Sequence, residues 1–134
     1  MAANTFTKAE RLCSKKAIDW LFDGKGHSFS VFPFRVVFKA VPVEDAAPLP
    51  QLLLSVPKRQ FHHAVERNRV KRLLREGYRK QKHPLVAYSA AHGLAVTMAF
   101  VYVGRDIITA ADIEARVATV ITRLIKQLDH ETVA

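Results

Sequence analysis

The sequence predicts one α/β (α+β) domain spanning residues 1–134, a small sheet covered by helices, and three observations carry that expectation. Segments in which apolar residues recur at helical spacing alternate with short runs rich in Val, Leu and Phe. Hydrophobic residues make up 49% and charged residues 25% of the 134, close to the globular average and enough to bury a core. No internal repeat or low-complexity tract interrupts the pattern.

The elements follow in order. Thr7 and Glu10 have capping-box spacing, and Ser14 precedes KKAIDWLFDG, in which Ala17, Ile18, Leu21 and Phe22 share a helical face that Gly24 would end. Phe29 to Ala40, FSVFPFRVVFKA, reads as a strand in which Pro33 marks an edge or a bulge. Val41 to Pro50, VPVEDAAPLP, reads as a surface loop between strands, and Gln51 to Val56 as a second, more buried strand. Ala64 to Lys80 is rich in helix formers and free of Pro, so it should be a helix beginning near His63 or Ala64. Gly93 to Val103 is a near-continuous apolar run, the pattern of a strand buried on both faces. Thr109 and Asp112 give capping spacing to a closing helix with Ile113, Val117, Val120, Ile121, Leu124 and Leu128 on its packed side.

Charge is concentrated. The chain carries a formal +9, and the 25 residues from Lys58 to Lys82 hold ten cations and two acids, a balance of +8. A single-sign block of this kind attracts a polyanion. Within it Asn68, Lys71, Arg72, Arg75 and Arg79 fall on one helical face and Val70, Leu73, Leu74 and Gly77 on the other. Gly77 costs about 1 kcal/mol against Ala in a helix interior, which points to close packing there. A charged helical face is ordinarily solvated and balanced by acids, but Glu66 and Glu76 cannot balance ten cations. Arg is abundant, and its planar fork matches phosphate bidentately. A membrane surface would demand bulky apolar residues beside the cations, whereas the apolar side here is needed for the core. Nucleic acid is the expected partner.

Other chemistries are less well supplied. No run of about 18 apolar residues could span a bilayer, and MAANTFTKAERLC lacks the features of a secretory signal, so a cytoplasmic location is expected. Cys13 is the sole cysteine, which excludes an internal disulfide and a multi-Cys metal site. His27, His62, His63, His83, His92 and His130 could offer acid–base chemistry, but no carboxylate cluster accompanies them, so no catalytic or metal-holding residue is assigned.

Arg67-Asn68-Arg69, followed by Lys71-Arg72 and Arg75-Glu76 and preceded by Val56-Pro57-Lys58-Arg59 and Ala64-Val65, closely resembles the signature of the bacterial ribonuclease P protein subunit. Arg11-Leu12 before a helix with Phe22 and Gly24, the aromatic strand and the amphipathic closing helix extend the resemblance along the chain. It implies a two-layer sandwich with a small mixed sheet, an N-terminal helix, an arginine-rich helix in a left-handed βαβ crossover, and a C-terminal helix. It also implies an RNA-binding subunit of a ribonucleoprotein endoribonuclease that removes the 5′ leader from precursor tRNA. Its partners would be the catalytic RNA and the precursor tRNA, with Mg²⁺ held mainly by the RNA and catalysis performed there. By position, Lys58, Arg59, Arg67, Asn68, Arg69, Lys71, Arg72 and Arg75 match the RNA-binding set, which Arg79 extends along the same helical face. Phe22 matches an aromatic of the leader cleft, with Phe34 and Phe38 as companions. Ile18 stands where the family often carries Phe. A structural RNA-binding protein, such as a ribosomal component, is the alternative for a basic domain of this size.

Overall fold

The computed structural model describes residues 6–133. A single 3-10 turn at Lys8–Glu10 leads to α1 (Lys15–Leu21), β1 (His27–Val31), β2 (Phe34–Pro42), β3 (Gln51–Ser55), α2 (Ala64–Gln81), α3 (His83–His92), β4 (Leu94–Tyr102) and α4 (Ala110–Val133). The four strands form one mixed sheet in the order β1-β2-β4-β3. β1 pairs antiparallel with β2, and β2 antiparallel with β4. β3 runs parallel to β4 and is joined to it through α2 and α3.

Alternation along the strands gives the sheet two unlike faces. Phe29, Phe34, Val36, Phe38, Leu52, Val96, Met98, Phe100 and Tyr102 point to one side, where they meet Val70, Leu74 and Tyr78 of α2 and the apolar stripe of α4. This is the main core. On the other side Val37, Leu53 and Ala99 meet Leu12, Ala17, Ile18 and Leu21. Short α1 covers only part of that face, and Arg35 and Lys39 of β2 share it.

Local chemistry explains the boundaries. Ser14 Oγ accepts from the Ala17 amide at 3.3 Å to start α1, and Gly24 beyond its end has φ +87°, a conformation that favours glycine. The Asp112 amide donates to Thr109 Oγ1 at 3.1 Å at the start of α4. At Gly77 an added Cβ would lie 3.4 Å from Glu114 Cα, Ile113 Cγ2 and Val117 Cγ2, so the absent side chain brings α2 against α4.

Several expectations are corrected. The aromatic stretch is a hairpin, not one strand: the chain turns at Phe32-Pro33, a cis peptide bond, and β1 folds back on β2. Val41 and Pro42 belong to β2, so the loop is shorter than its composition suggested. β3 is an edge strand with three half-buried residues among Leu53, Leu54 and Ser55, rather than a deeply buried one. α3 is additional: His83–His92 has Pro84 at its start, where a missing amide hydrogen is tolerated, and no clear apolar stripe to announce it.

Candidate nucleic-acid interface

The arginine-rich segment is one helix from Ala64 to Gln81, entered through an extended His63 whose carbonyl accepts from the Glu66 and Arg67 amides. Val70, Leu74, Gly77 and Tyr78 are buried against the sheet and α4. Asn68, Arg69, Arg72 and Arg75 are exposed and Lys71 is half-buried, so the predicted polar face is the solvent face. Lys58 and Arg59, exposed in the turn after β3, lie before the same helix.

The structure divides the ten cations by what they touch. Among the described residues, Lys58, Arg59, Arg69, Lys71, Arg72 and Arg75 form no salt bridge. Arg67 is half-buried and spends Nη1 on the carbonyls of Phe61 and His62, both at 2.9 Å, so it fastens the loop entering α2 as well as standing beside the cationic face. Arg79 bonds Glu76 Oε2 at 2.6 Å, which holds the Glu76 carboxyl below its ordinary value. Lys80 lies 3.7 Å from Glu114 of α4.

Lys82 is of a different kind. It is buried and meets Glu10 Oε2 at 2.6 Å, while Glu10 Oε1 accepts from the amide and hydroxyl of Thr7, each at 3.1 Å. The pair ties the N-terminal turn to the junction of α2 and α3, because two charges removed from water persist only when mutually satisfied. The Tyr78 hydroxyl is buried without a hydrogen-bond partner among the described residues. Burial first, and the Glu10 charge second, push its ionisation well upward, so it remains a neutral phenol.

A second region lies on the opposite face of the sheet. Leu21, Phe22, Gly24, Gly26, Ser28, Arg35 and Val37 line a cleft of about 180 Å³ between α1 and the hairpin. Phe22 is 45% exposed and available to a ligand. Beside it Lys39 Nζ sits 4.4 Å from the Trp20 ring centroid and binds Trp20 O and both Asp23 oxygens. Phe34 and Phe38 do not belong to this cleft. They are 0% and 1% exposed, stacked in the main core with Phe100, Tyr102 and Phe29, because even-numbered residues of β2 face α2 and α4. Arg35, Val37 and Lys39 are the β2 residues on the α1 side, and Trp20, off the Ala17-Ile18-Leu21-Phe22 face of α1, is exposed beside Lys39.

The His side chains do not converge. Among the described residues no three His, Cys, Asp or Glu side chains gather in one place. Among the described residues no helix is long and apolar enough to cross a membrane.

Comparison with known proteins agrees on one family. The family model described as Ribonuclease P matches residues 6–127. A ribonuclease P protein component of Porphyromonas gingivalis is 41% identical over 101 residues, covering 75% of this chain and 72% of that protein. One of Chlorobaculum tepidum is 36% identical over 107 residues, covering 76% and 70%. In fold, the solved RNase P protein of Staphylococcus aureus matches with a TM-score of 0.65 at 24% identity over 87% of this chain and 96% of that one. That of Thermotoga maritima matches at 0.64 and 18% identity over 85% and 96%.

Proposed function

The chain belongs to the ribonuclease P protein family, and from that premise we propose that it is the RNA-binding subunit of a ribonucleoprotein that removes the 5′ leader from precursor tRNA. The observation that carries this reading is the row of cations on and before α2 that have no acidic partner among the described residues. A rigid helix holding Arg69, Lys71, Arg72 and Arg75 toward solvent suits the shaped phosphate backbone of a folded RNA. Asn68 supplies a neutral donor and acceptor in the same row, and Arg67 and Arg79 flank it.

The cleft beside Phe22 is of another kind. A single-stranded leader needs faces on which bases can stack and cations for its phosphates. Phe22, with Trp20 exposed nearby, offers the first, and Arg35 the second, while Lys39 is already held by Asp23. In this reading the protein orients RNA and substrate, the reaction takes place on the catalytic RNA in the cytoplasm, and Mg²⁺ is held mainly by that RNA.

Reconstitution tests the reading. The chain should raise cleavage of precursor tRNA when added to ribonuclease P RNA and show no cleavage alone. Binding of that RNA should weaken with salt at a slope of roughly −4 to −5, the value for about six phosphate contacts. Phe22→Ala should weaken binding of a substrate with a leader and leave a leaderless tRNA unaffected. Cleavage by the protein alone, or sedimentation only with ribosomal subunits, would overturn the assignment.

A further inference from the structure

A second cleft, of about 200 Å³, lies at the β3 edge of the sheet between the N-terminal segment, β3 and α2. Its floor is apolar: residues 52–54 of β3, Leu12 and the half-buried ring of Phe6. Its rim is cationic: Arg11 from the N-terminal segment faces Lys71 and Arg75, which stand one turn apart on α2. Among the described residues no carboxylate lines it. Two contacts fix the N-terminal segment that forms one wall, one to β3 and one to α2. The Leu12 amide donates to the Leu52 carbonyl at 3.0 Å, and the Phe6 ring packs edge-on against Tyr78 at 5.7 Å. The Arg11 guanidinium lies 5.7 Å from the Phe6 ring centroid, at the mouth.

We infer that this cleft accepts one unstacked nucleobase of the partner RNA, with the phosphates on either side of that base held by Arg11, Lys71 and Arg75. The inference rests on the function proposed above and adds a site to it. An apolar floor with a cationic rim selects a ligand whose planar faces are apolar and whose flanks are anionic, which describes an extruded nucleotide. Continuity decides between RNA and an acidic peptide: Lys71 and Arg75 belong both to the rim and to the unpaired face of α2, so an RNA lying on that helix already passes the opening. A regular duplex would pass it too but would leave it empty, since its bases are stacked. The cleft therefore gives the helix a means of preferring an irregular RNA over any duplex of equal charge.

Cys13 is exposed at the cleft and is the sole cysteine of the chain, so its alkylation reports occupancy. With N-ethylmaleimide, saturating ribonuclease P RNA should slow modification at least about tenfold, whereas a saturating, fully paired RNA duplex should leave the rate nearly unchanged. Cys13→Trp, which fills the mouth and removes no cation, should weaken ribonuclease P RNA binding about tenfold, with the salt slope and duplex affinity unchanged. Equal alkylation rates with and without ribonuclease P RNA, equal protection by the duplex, or unchanged affinity of Cys13→Trp would each overturn the cleft. Protection by an acidic aromatic peptide but not by the RNA would overturn it in favour of a protein ligand. A wild-type chain that binds ribonuclease P RNA no better than the duplex would instead overturn the functional reading on which the cleft depends.

Discussion

From Arg69 to Arg75, α2 carries four cations with no salt bridge among the described residues, whereas from Arg79 to Lys82 each cation meets a carboxylate: Glu76, Glu114 and Glu10 in turn. Neither stretch contains an acid of its own, and the second is the more densely basic: three cations in four residues against four in seven. They differ in their neighbours. Toward its C-terminus α2 runs beside α4 and the N-terminal turn, which supply Glu114 and Glu10, while Glu76 comes from the preceding turn of α2 itself; along its middle no acid meets the cations among the described residues. Charge density alone therefore overstates the unpaired cationic surface, which is limited to the stretch left without acids among the described residues.

The comparison is broken most severely at its paired end. Lys82→Met leaves Glu10 buried without its counter-ion and should cost about 3–5 kcal/mol, seen as a fall in unfolding free energy by denaturant titration. Adding Glu10→Gln should return much of that loss, because the stranded charge is then gone. At the unpaired end the reverse is expected. Arg69→Ala with Arg72→Ala should change unfolding free energy by no more than about 0.5 kcal/mol each. The pair should also flatten the salt slope of RNA binding by about 0.7–0.9 per residue. Arg79→Ala sharpens the contrast, since Glu76 already offsets it: its effect on the slope should be less than half that of Arg72→Ala.

The smallest effect is a titration. The Glu76 carboxyl is held below its ordinary value of 4.5, chiefly by the hydrogen bond from Arg79. A lowered folded value means that the contribution of the pair is complete above about pH 4.5 and lost as pH falls through the lowered value. Carboxyl chemical shifts should show Glu76 titrating below 4.5, moving back toward it in Arg79→Ala. A Glu76 that titrates normally in the wild type would mean that Arg79 is as available to RNA as Arg72, and the contrast between the two ends would shrink.

The two faces of the sheet repeat the lesson with apolar residues. Phe34 and Phe38 alternate with Arg35, Val37 and Lys39, so their separation onto opposite faces was legible from β-strand spacing. Which face the large helices would cover was not. That choice follows from how α2 and α4 pack after the chain has crossed from β3 to β4, and it placed both Phe rings in the core while Phe22 and Trp20 remained at the α1 cleft. The hairpin at Phe32-Pro33 is hard to read from sequence for a related reason: residues 29–38 are one run rich in Phe and Val, and only pairing of β1 with β2 shows the reversal. α3 escaped because its apolar residues follow no helical stripe; it is held by its position between α2, β4 and α4.

What the sequence determined by itself was everything governed by residues three or four positions apart or by identity at a motif. This covers the N-terminal caps of α1 and α4, the extent of α2, its division into apolar and cationic sides, the closing helix, and the Arg67-Asn68-Arg69 signature that names the family. Tertiary structure alone decided which cations are paired, which aromatics are exposed, that Glu10 and Lys82 meet in the interior, and that Arg11 closes a cleft against Lys71 and Arg75. The physical reason is range. Helix propensity, capping and amphipathic phase are local, whereas desolvation and ion pairing depend on which distant segment arrives beside a residue, and Glu10 lies 72 positions from the lysine it neutralises.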